Sequence, residues 1–317
     1  MINPLVSVII SSYNHEDYVQ KTIESLINQT YQNIELIIMD DGSKDSTVQK
    51  ISDMSNRCQE RFVRFYFESK ENEGTCVTIN KLLGIAQGEY VYMIASDDLA
   101  KPQAIEKEVD FLKANPDYAL AVGDNEFIDS ENRVCYWDKD RNIVYSKDKA
   151  KYLTFSDFLQ EKNNVRFNSV DFGTYKTIYL SNHVPNGYLI RRSIFDKTGY
   201  FVKEAPLEDW YLMLQISKYA KMKFIPEILF SYRWHQSNTI KNYGKMDNFA
   251  IMTRDFEEKI LSNIKESDVF PEVIDVRDNG VCYKTQGIPF LFEILTYRKG
   301  NVKYKLVKLF NSIRIKL

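Results

Sequence analysis

Sulfur and imidazole are scarce in this chain, which has four cysteines and three histidines in 317 residues. Cys58, Cys76, Cys135 and Cys282 share no CxxC or metal-ligand spacing, which excludes a zinc module and a disulfide framework. They read as free thiols in a reducing compartment. No apolar run reaches the ~20 residues of a membrane-spanning helix. The opening MINPLVSVII enters a strand with no basic leader region, so a cytoplasmic location is expected. Net charge is only −2, which gives no reason to expect nucleic acid as a partner. Internal repeats and low-complexity tracts are missing as well. So are both glycine-rich phosphate signatures, GxGxxG and the P-loop. A nucleotide bound here needs another device for its phosphates, and a divalent metal ion is the obvious one.

What the chain does have is 44% hydrophobic residues, enough for a sizeable core. Leu5–Ser12 is β-branched and almost wholly apolar, as a strand buried on both faces should be. Val19, Ile23, Leu26 and Ile27 follow at helical spacing. Ile34–Met39, Val63–Phe67 and Tyr90–Ala95 read as further strands, with helices over 44–54 and 75–87 between them. Strands alternating with helices argue an α/β fold around a mostly parallel, doubly wound sheet. A helix over 100–117 and a strand over 118–128 come next, then polar residues over 130–150 and no clear period over 151–183. Extended segments over 186–191 and 223–234 bracket a strong helix over 207–219.

Polar clusters close the apolar elements. They are Ser11-Ser12-Tyr13-Asn14, Asp40-Asp41-Gly42-Ser43, Ser96-Asp97-Asp98 and Glu208-Asp209-Trp210. Carboxylates at strand ends sit where open α/β sheets bind ligands. Neighbours in extended chain point opposite ways, so Asp97 and Asp98 can serve two different partners.

In order and spacing, VSVIISSYN, DDGS, GEYVYMIASDD, YLIRRSIFDKTGYF, LEDW and SYRWHQSNT resemble the inverting family-2 glycosyltransferases of the GT-A fold, over roughly residues 4–240. The resemblance implies a Rossmann-like catalytic domain over 1–240. Residues 1–99 would be its nucleotide-binding half and 100–240 its acceptor side, with a helical, basic extension over 241–317. It further implies a UDP-sugar donor, held by Ser11, Tyr13, Asp41 and the ribose-contacting Asp97. Asp98 and His235 match the metal ligands. Imidazole favours Mn²⁺ over Mg²⁺, which is the alternative. Asp209 matches the base that takes the acceptor's proton, and Glu208 and Trp210 would flank the acceptor. That acceptor is expected to be a capsule or polysaccharide glycan, a lipid-linked glycan or a glycoprotein's sugar.

Two departures from the pattern stand out. Thr78-Ile79-Asn80 lacks the arginine common there, and Gln215 replaces another. Arg191 and Arg192 are the basic residues left near the expected site. A catalytically degenerate scaffold partner is the alternative that these departures allow. A sugar-phosphate nucleotidyltransferase would need a glycine-rich, basic loop after the first strand, and SSYNHEDY is not one. Beyond Glu293 the chain has no acids, and Val302, Leu306, Leu309, Phe310, Ile313 and Leu317 fall on one helical face between lysines and arginines. This reads as a basic amphipathic helix, packed on the domain or on another subunit, or resting on the inner face of the plasma membrane.

Overall fold

The structure, a computed structural model, describes residues 3–236, 238–288, 292–309 and 313–316. The first half alternates as its pattern dictates: β1 (Val6–Ser12), α1 (Val19–Ile27), β2 (Ile34–Asp40), α2 (Thr47–Ser52), α3 (Ser55–Arg61), β3 (Arg64–Ser69), α4 (Thr75–Ile85) and β4 (Tyr90–Met93). The short β5 (Leu99–Ala100) leads to α5 (Ala104–Ala114) and the long β6 (Tyr118–Ile128). A hairpin, β7 (Val134–Trp137) and β8 (Ile143–Val144), fills the polar segment. The stretch without a period holds α6 (Phe155–Asn163) and α7 (Tyr175–Leu180). Then come β9 (Tyr188–Arg191), α8 (Phe195–Thr198), α9 (Glu208–Ser217) and β10 (Lys221–Arg233).

The main sheet runs β3-β2-β1-β4-β9-β6-β10-β5, with β7 and β8 continuing from β6. β1, β2, β3 and β4 are mutually parallel, and β10 is parallel to β6. β9 runs antiparallel between β4 and β6, which leaves β6 and β10 pointing the same way as β1. Hence β1, β2, β4 and β10 all end on one edge. β1 and β2 are buried along nearly their whole length, with helices covering both faces. That is why they read as continuous apolar runs rather than alternating ones.

After β10 the chain forms α10 (Tyr243–Asn263) and α11 (Pro271–Asn279), then a separate antiparallel sheet of β11 (Val281–Ile288), β12 (Phe292–Lys299), β13 (Val302–Leu309) and β14 (Ile313–Lys316). The extension is therefore helical only at first, and the amphipathic helix expected near the C-terminus is corrected to strands. Phe310 and Leu317 lie outside the described residues. Lys299 pairs with Val302 across Gly300-Asn301, a two-residue hairpin with Gly300 at φ +57°. Tyr297 stacks on its cross-strand partner Tyr304 at 5.4 Å. Val302, Tyr304 and Leu306 alternate with Lys303 and Lys305, a period of two that also satisfies part of a helical stripe. The peripheral-membrane or oligomer contact expected of that helix has a four-stranded sheet in its place. Among the described residues no helix is long and apolar enough to cross a membrane.

At the opposite edge of the main sheet, Glu35 is wholly buried and fully engaged. It accepts from Ser7 Oγ (2.5 Å), from the amides of Gln87 (2.6 Å) and Gly88 (3.1 Å), and from Arg64 Nη1 (2.8 Å). One carboxylate thereby fixes β1, β2, β3 and the turn into β4. Removing one partner of a buried pair strands the rest without an acceptor. Glu35→Ala should lower unfolding free energy by about 3–5 kcal/mol, read from urea denaturation at unchanged slope.

Candidate functional site

The turn after β4 is pinned from two sides. Thr22 Oγ1 donates to the carbonyls of Ser96 (2.9 Å) and Asp98 (2.8 Å). Arg233, at the end of β10, donates from Nε to the Asp97 carbonyl (2.5 Å), and its amide donates to Asp98 Oδ1 (2.8 Å). The two carboxylates do face different partners. Asp98 is buried against the Arg233 amide, and burial together with the Asp97 charge pushes its carboxyl well above the usual range. Asp97 Oδ2 lies 2.9 Å from His235 Nε2 and 3.7 Å from His15 Nε2. Burial would raise the Asp97 pKa, but the His235 hydrogen bond and the two imidazoles outweigh it and hold the group low.

His15, Asp97 and His235 each offer a ligand atom, and these atoms lie within 4.8 Å of one another. Ligands at the edge of an octahedron with bonds of about 2.1 Å sit roughly 3 Å apart, so a small inward movement suffices to hold one divalent ion. His15 is already oriented, because its Nδ1 is 2.7 Å from Ser96 Oγ, which leaves Nε2 toward Asp97. Two imidazoles and one carboxylate suit Mn²⁺ better than a purely oxygen-seeking ion.

Helix α9 brings the second group. Its first turn is bonded to Asn182, a few residues before Tyr188 opens β9 opposite Met93, the last residue of β4. Glu208 and Asp209 open this helix. Asp209 Oδ2 accepts from Asn182 Nδ2 (3.1 Å) and Oδ1 from the Trp210 amide (2.6 Å). Burial nevertheless raises the Asp209 carboxyl above its ordinary value. Burial and the neighbouring Asp209 charge push Glu208 up to about 7. Burial raises the Tyr232 phenol, and the charges of Asp98, Asp97 and Asp209 add to the shift.

Comparison with known proteins fits this geometry. Residues 7–183 match the family described as Glycosyl transferase family 2. A Haemophilus influenzae protein named "Uncharacterized glycosyltransferase" is 31% identical over 77% of this chain and 70% of its own length. The chain belongs to glycosyl transferase family 2. A protein of Bacillus subtilis named a putative teichuronic acid biosynthesis glycosyltransferase is 36% identical over 44% of the chain and 59% of its own length. A chondroitin synthase of Pasteurella multocida is 26% identical over 82% of the chain but only 24% of that enzyme. Among solved structures, Staphylococcus aureus TarS residues 1–349 with UDP-GlcNAc superimpose at a TM-score of 0.55, 14% identity, covering 94% of this chain and 98% of that one. The Pyrobaculum calidifontis mannosyltransferase PcManGT, with GDP-Man and Mn²⁺, gives a TM-score of 0.60 at 13% identity, covering 87% and 68%. At such identities the structures establish the shared GT-A fold.

Within this glycosyltransferase the expected residues sort unevenly. Asp97, Asp209 and His235 reach the site, and Tyr13 stands 46% exposed beyond β1, with half-buried Ser11 before it. Asp98 Oδ1 accepts from the Arg233 amide, and the group of side chains that could hold an ion contains Asp97 rather than Asp98. Asp41 has a prior engagement: it pairs with Lys70 and accepts from the amides of Glu73 and Gly74 (both 2.9 Å), which folds loop 70–74 over the strand ends. Gly42 (φ +78°) is required there, since a Cβ would lie 2.8 Å from the Asn72 amide nitrogen. Trp210 is corrected to core. It is 3% exposed, and its Nε1 donates to the Ile178 carbonyl (2.7 Å). Arg191 and Arg192 donate to the carbonyls of Leu112 (2.7 Å) and Gly88 (2.6 Å), near the start of β4 and away from the site. Gln215 is enclosed with Lys218 and Glu257, bonding α9 to α10. Asn80 clamps Phe201 through its backbone N–H (2.9 Å) and carbonyl (2.8 Å) and so anchors the loop before α9. Sequence reasoning passed over His15, although it lies two residues beyond Tyr13 and is one of only three histidines.

A carboxyl whose folded pKa exceeds its unfolded value binds its proton more tightly when folded. Stability then falls as pH rises from the unfolded value toward the folded one. For Glu208 that window runs from 4.5 to about 7. Glu208→Gln should therefore melt higher than the native chain at pH 8, and the advantage should vanish near pH 4. A constant offset at both pH values would refute the assignment.

Proposed function

We propose that this glycosyltransferase is an inverting, metal-dependent enzyme that moves a sugar from a UDP-sugar to a growing glycan in the cytoplasm, with residues 1–240 as its catalytic unit. The observation that carries this reading is the pairing of Asp97, His15 and His235 at the strand ends with a raised carboxyl, Asp209, at the mouth of α9. The relative named for teichuronic acid biosynthesis and the chondroitin synthase support polysaccharide as the product class. TarS with UDP-GlcNAc supports a uridine donor, and PcManGT with Mn²⁺ supports the metal.

The nucleotide would lie along the edge of β1 and β2, with the exposed Tyr13 ring against its base and the loop folded by Asp41 beside it. Its diphosphate would approach His15, Asp97 and His235. A divalent ion held by these three would offset the charge that develops on the departing diphosphate. Asp209 faces the acceptor's side. Its carboxylate takes the proton of the acceptor hydroxyl while that oxygen bonds to the anomeric carbon, and the bond to the diphosphate breaks with its electron pair leaving on UDP. A single displacement of this kind inverts the anomeric centre. Asn182 and the Trp210 amide hold Asp209 in place, and burial makes it a stronger base than an exposed aspartate.

Two experiments test the proposal. Asp209→Asn should lower kcat for transfer about 10²–10⁴-fold with UDP affinity retained. In the native chain the rate should fall as pH drops through a pKa above the usual carboxylate range. Full transfer activity in Asp209→Asn would remove it from the mechanism. Titration of Mn²⁺ by electron paramagnetic resonance should show binding lost in Asp97→Asn and kept in Asp98→Asn, whose amide oxygen can still accept from Arg233. The reverse result would restore Asp98 as the ligand. GDP-mannose displacing UDP at equal concentration would overturn the uridine preference.

A further inference from the structure

Helix α9 carries Glu208 and Asp209 in its first turn, yet its own sequence gives that turn no side-chain cap. The residue at the cap position is Leu207, which has no oxygen to accept a backbone N–H. The missing hold comes from α10, beyond residue 240. Thr253, Glu257 and Leu261 recur every four residues along α10, and all three are buried along one side of that helix. Thr253 Oγ1 accepts the Leu207 amide at 3.1 Å, one residue before Glu208. Arg254 sets its guanidinium 4.8 Å from the Trp210 ring centre, one residue after Asp209, and donates from Nη2 to the Leu180 carbonyl at 3.3 Å. One turn further along α10, Glu257 accepts from Gln215 (2.8 Å) and Lys218 (2.8 Å) at the far end of α9, and from the Tyr175 hydroxyl (2.5 Å) on α7.

Thr253, Glu257 and Lys218 are wholly buried, so these bonds have no competition from bulk water. A buried N–H that loses its acceptor is penalised by its full desolvation, and the Leu207 amide is such a donor. A valine at 253 would match the threonine in shape and leave that amide unpaired. The hydroxyl at 253 therefore serves α9. Apolar packing alone would fix the distance between two helices and still let one slide along the other or turn about its axis. Directional bonds at both ends of α9 remove these freedoms. Breaking one partner of the Lys218–Glu257 pair would strand a buried charge, which makes the far end the firmer anchor. The near end matters for chemistry. Asp209 is two residues from the Leu207 amide, and a base displaced by about 1 Å can cost a reaction 10²-fold.

We propose that Thr253 is a positioning residue for Asp209, so that the catalytic unit reaches past residue 240 and includes α10. This rests on Asp209 acting as the base, and it moves part of the support for that base into the extension. Thr253→Val and Thr253→Ser in the full chain test it by two readouts. One is amide hydrogen exchange over residues 205–211. The other is release of UDP from UDP-GlcNAc with water as the acceptor, with Asp209→Asn measured in parallel. Thr253→Val should speed exchange over 205–211 about tenfold and leave β1 and β4 as they are. It should also lower kcat about 10–100-fold at unchanged KM. Thr253→Ser keeps the hydroxyl and should behave as the native chain in both readouts. Equal exchange over 205–211 in the native and Thr253→Val chains overturns the proposal. So does faster exchange with kcat unchanged, which would reduce the bond to helix packing, and so does a rise in KM alone. Faster exchange in β1 and β4 as well would mark a general loss of folding and overturns it too. If Asp209→Asn releases UDP at the native rate, or the native chain releases none, while exchange responds as expected, the brace stands and the base or donor reading falls instead.

Discussion

Arg233 is the constraint on which the site depends. Its side chain is completely buried, and its guanidinium donates to two backbone carbonyls and one side-chain amide oxygen. Nε donates to the Asp97 carbonyl, Nη1 to that of Asp129 (2.9 Å), Nη2 to Asn132 Oδ1 (2.8 Å), and the guanidinium lies 4.8 Å from the Tyr18 ring centre. One planar fork thus ties the turn after β4 to the turn after β6 and to the start of α1. A lysine could offer charge here but not the directional set of donors. Because Arg233 also ends β10, this anchoring decides where the chain leaves the sheet. His235, two residues on, has little choice but to face Asp97.

Much of the site follows from that anchoring by simple geometry. The Asp98 carboxylate is used by the Arg233 amide, so the Asp97 carboxylate is the one presented to solvent and histidine. The segment before β9 carries Asn182, whose side chain donates to Asp209 and so draws the first turn of α9 toward the edge where β4 ends. The Asp209 carboxylate is fixed further by the Trp210 amide. Its raised pKa comes from burial. Keeping Glu208 beside it is costly for stability, since burial and the Asp209 charge push Glu208 up to about 7. Acids placed where neither is comfortably ionised make the stronger bases.

The strands were legible because β1, β2 and β4 are buried on both faces and read as uninterrupted apolar runs. The polar clusters at their ends were legible for the same reason, since an abrupt stop marks a strand end. Burial of individual side chains was not. Trp210 follows two acids and looks exposed in sequence, yet its indole turns inward to the Ile178 carbonyl. Asp97 and Asp98 are adjacent and chemically identical, and only the position of β10 tells them apart. The α6 start could have been found, because Thr154 and Asp157 form a capping box that the sequence spells out. The C-terminal strands failed for another reason. Apolar residues at 302, 306 and 309 suit a helix, while Gly300-Asn301 and the alternating lysines specify a hairpin. A turn signal of two residues outweighed a stripe of six.

The losses of arginine relative to the family pattern also acquire a physical reading. Ile79 faces the core and Gln215 bridges Lys218 and Glu257 in a closed, charge-neutral network, so neither position opens onto the strand ends. The positive charge near the strand ends comes from elsewhere: Lys70 beside Asp41, and the buried Arg233. Lys70 is spent on Asp41 and shapes a loop. Arg233 and Lys70 thus direct their charge at the backbone and at a loop carboxylate, where it fixes the shape of the strand ends.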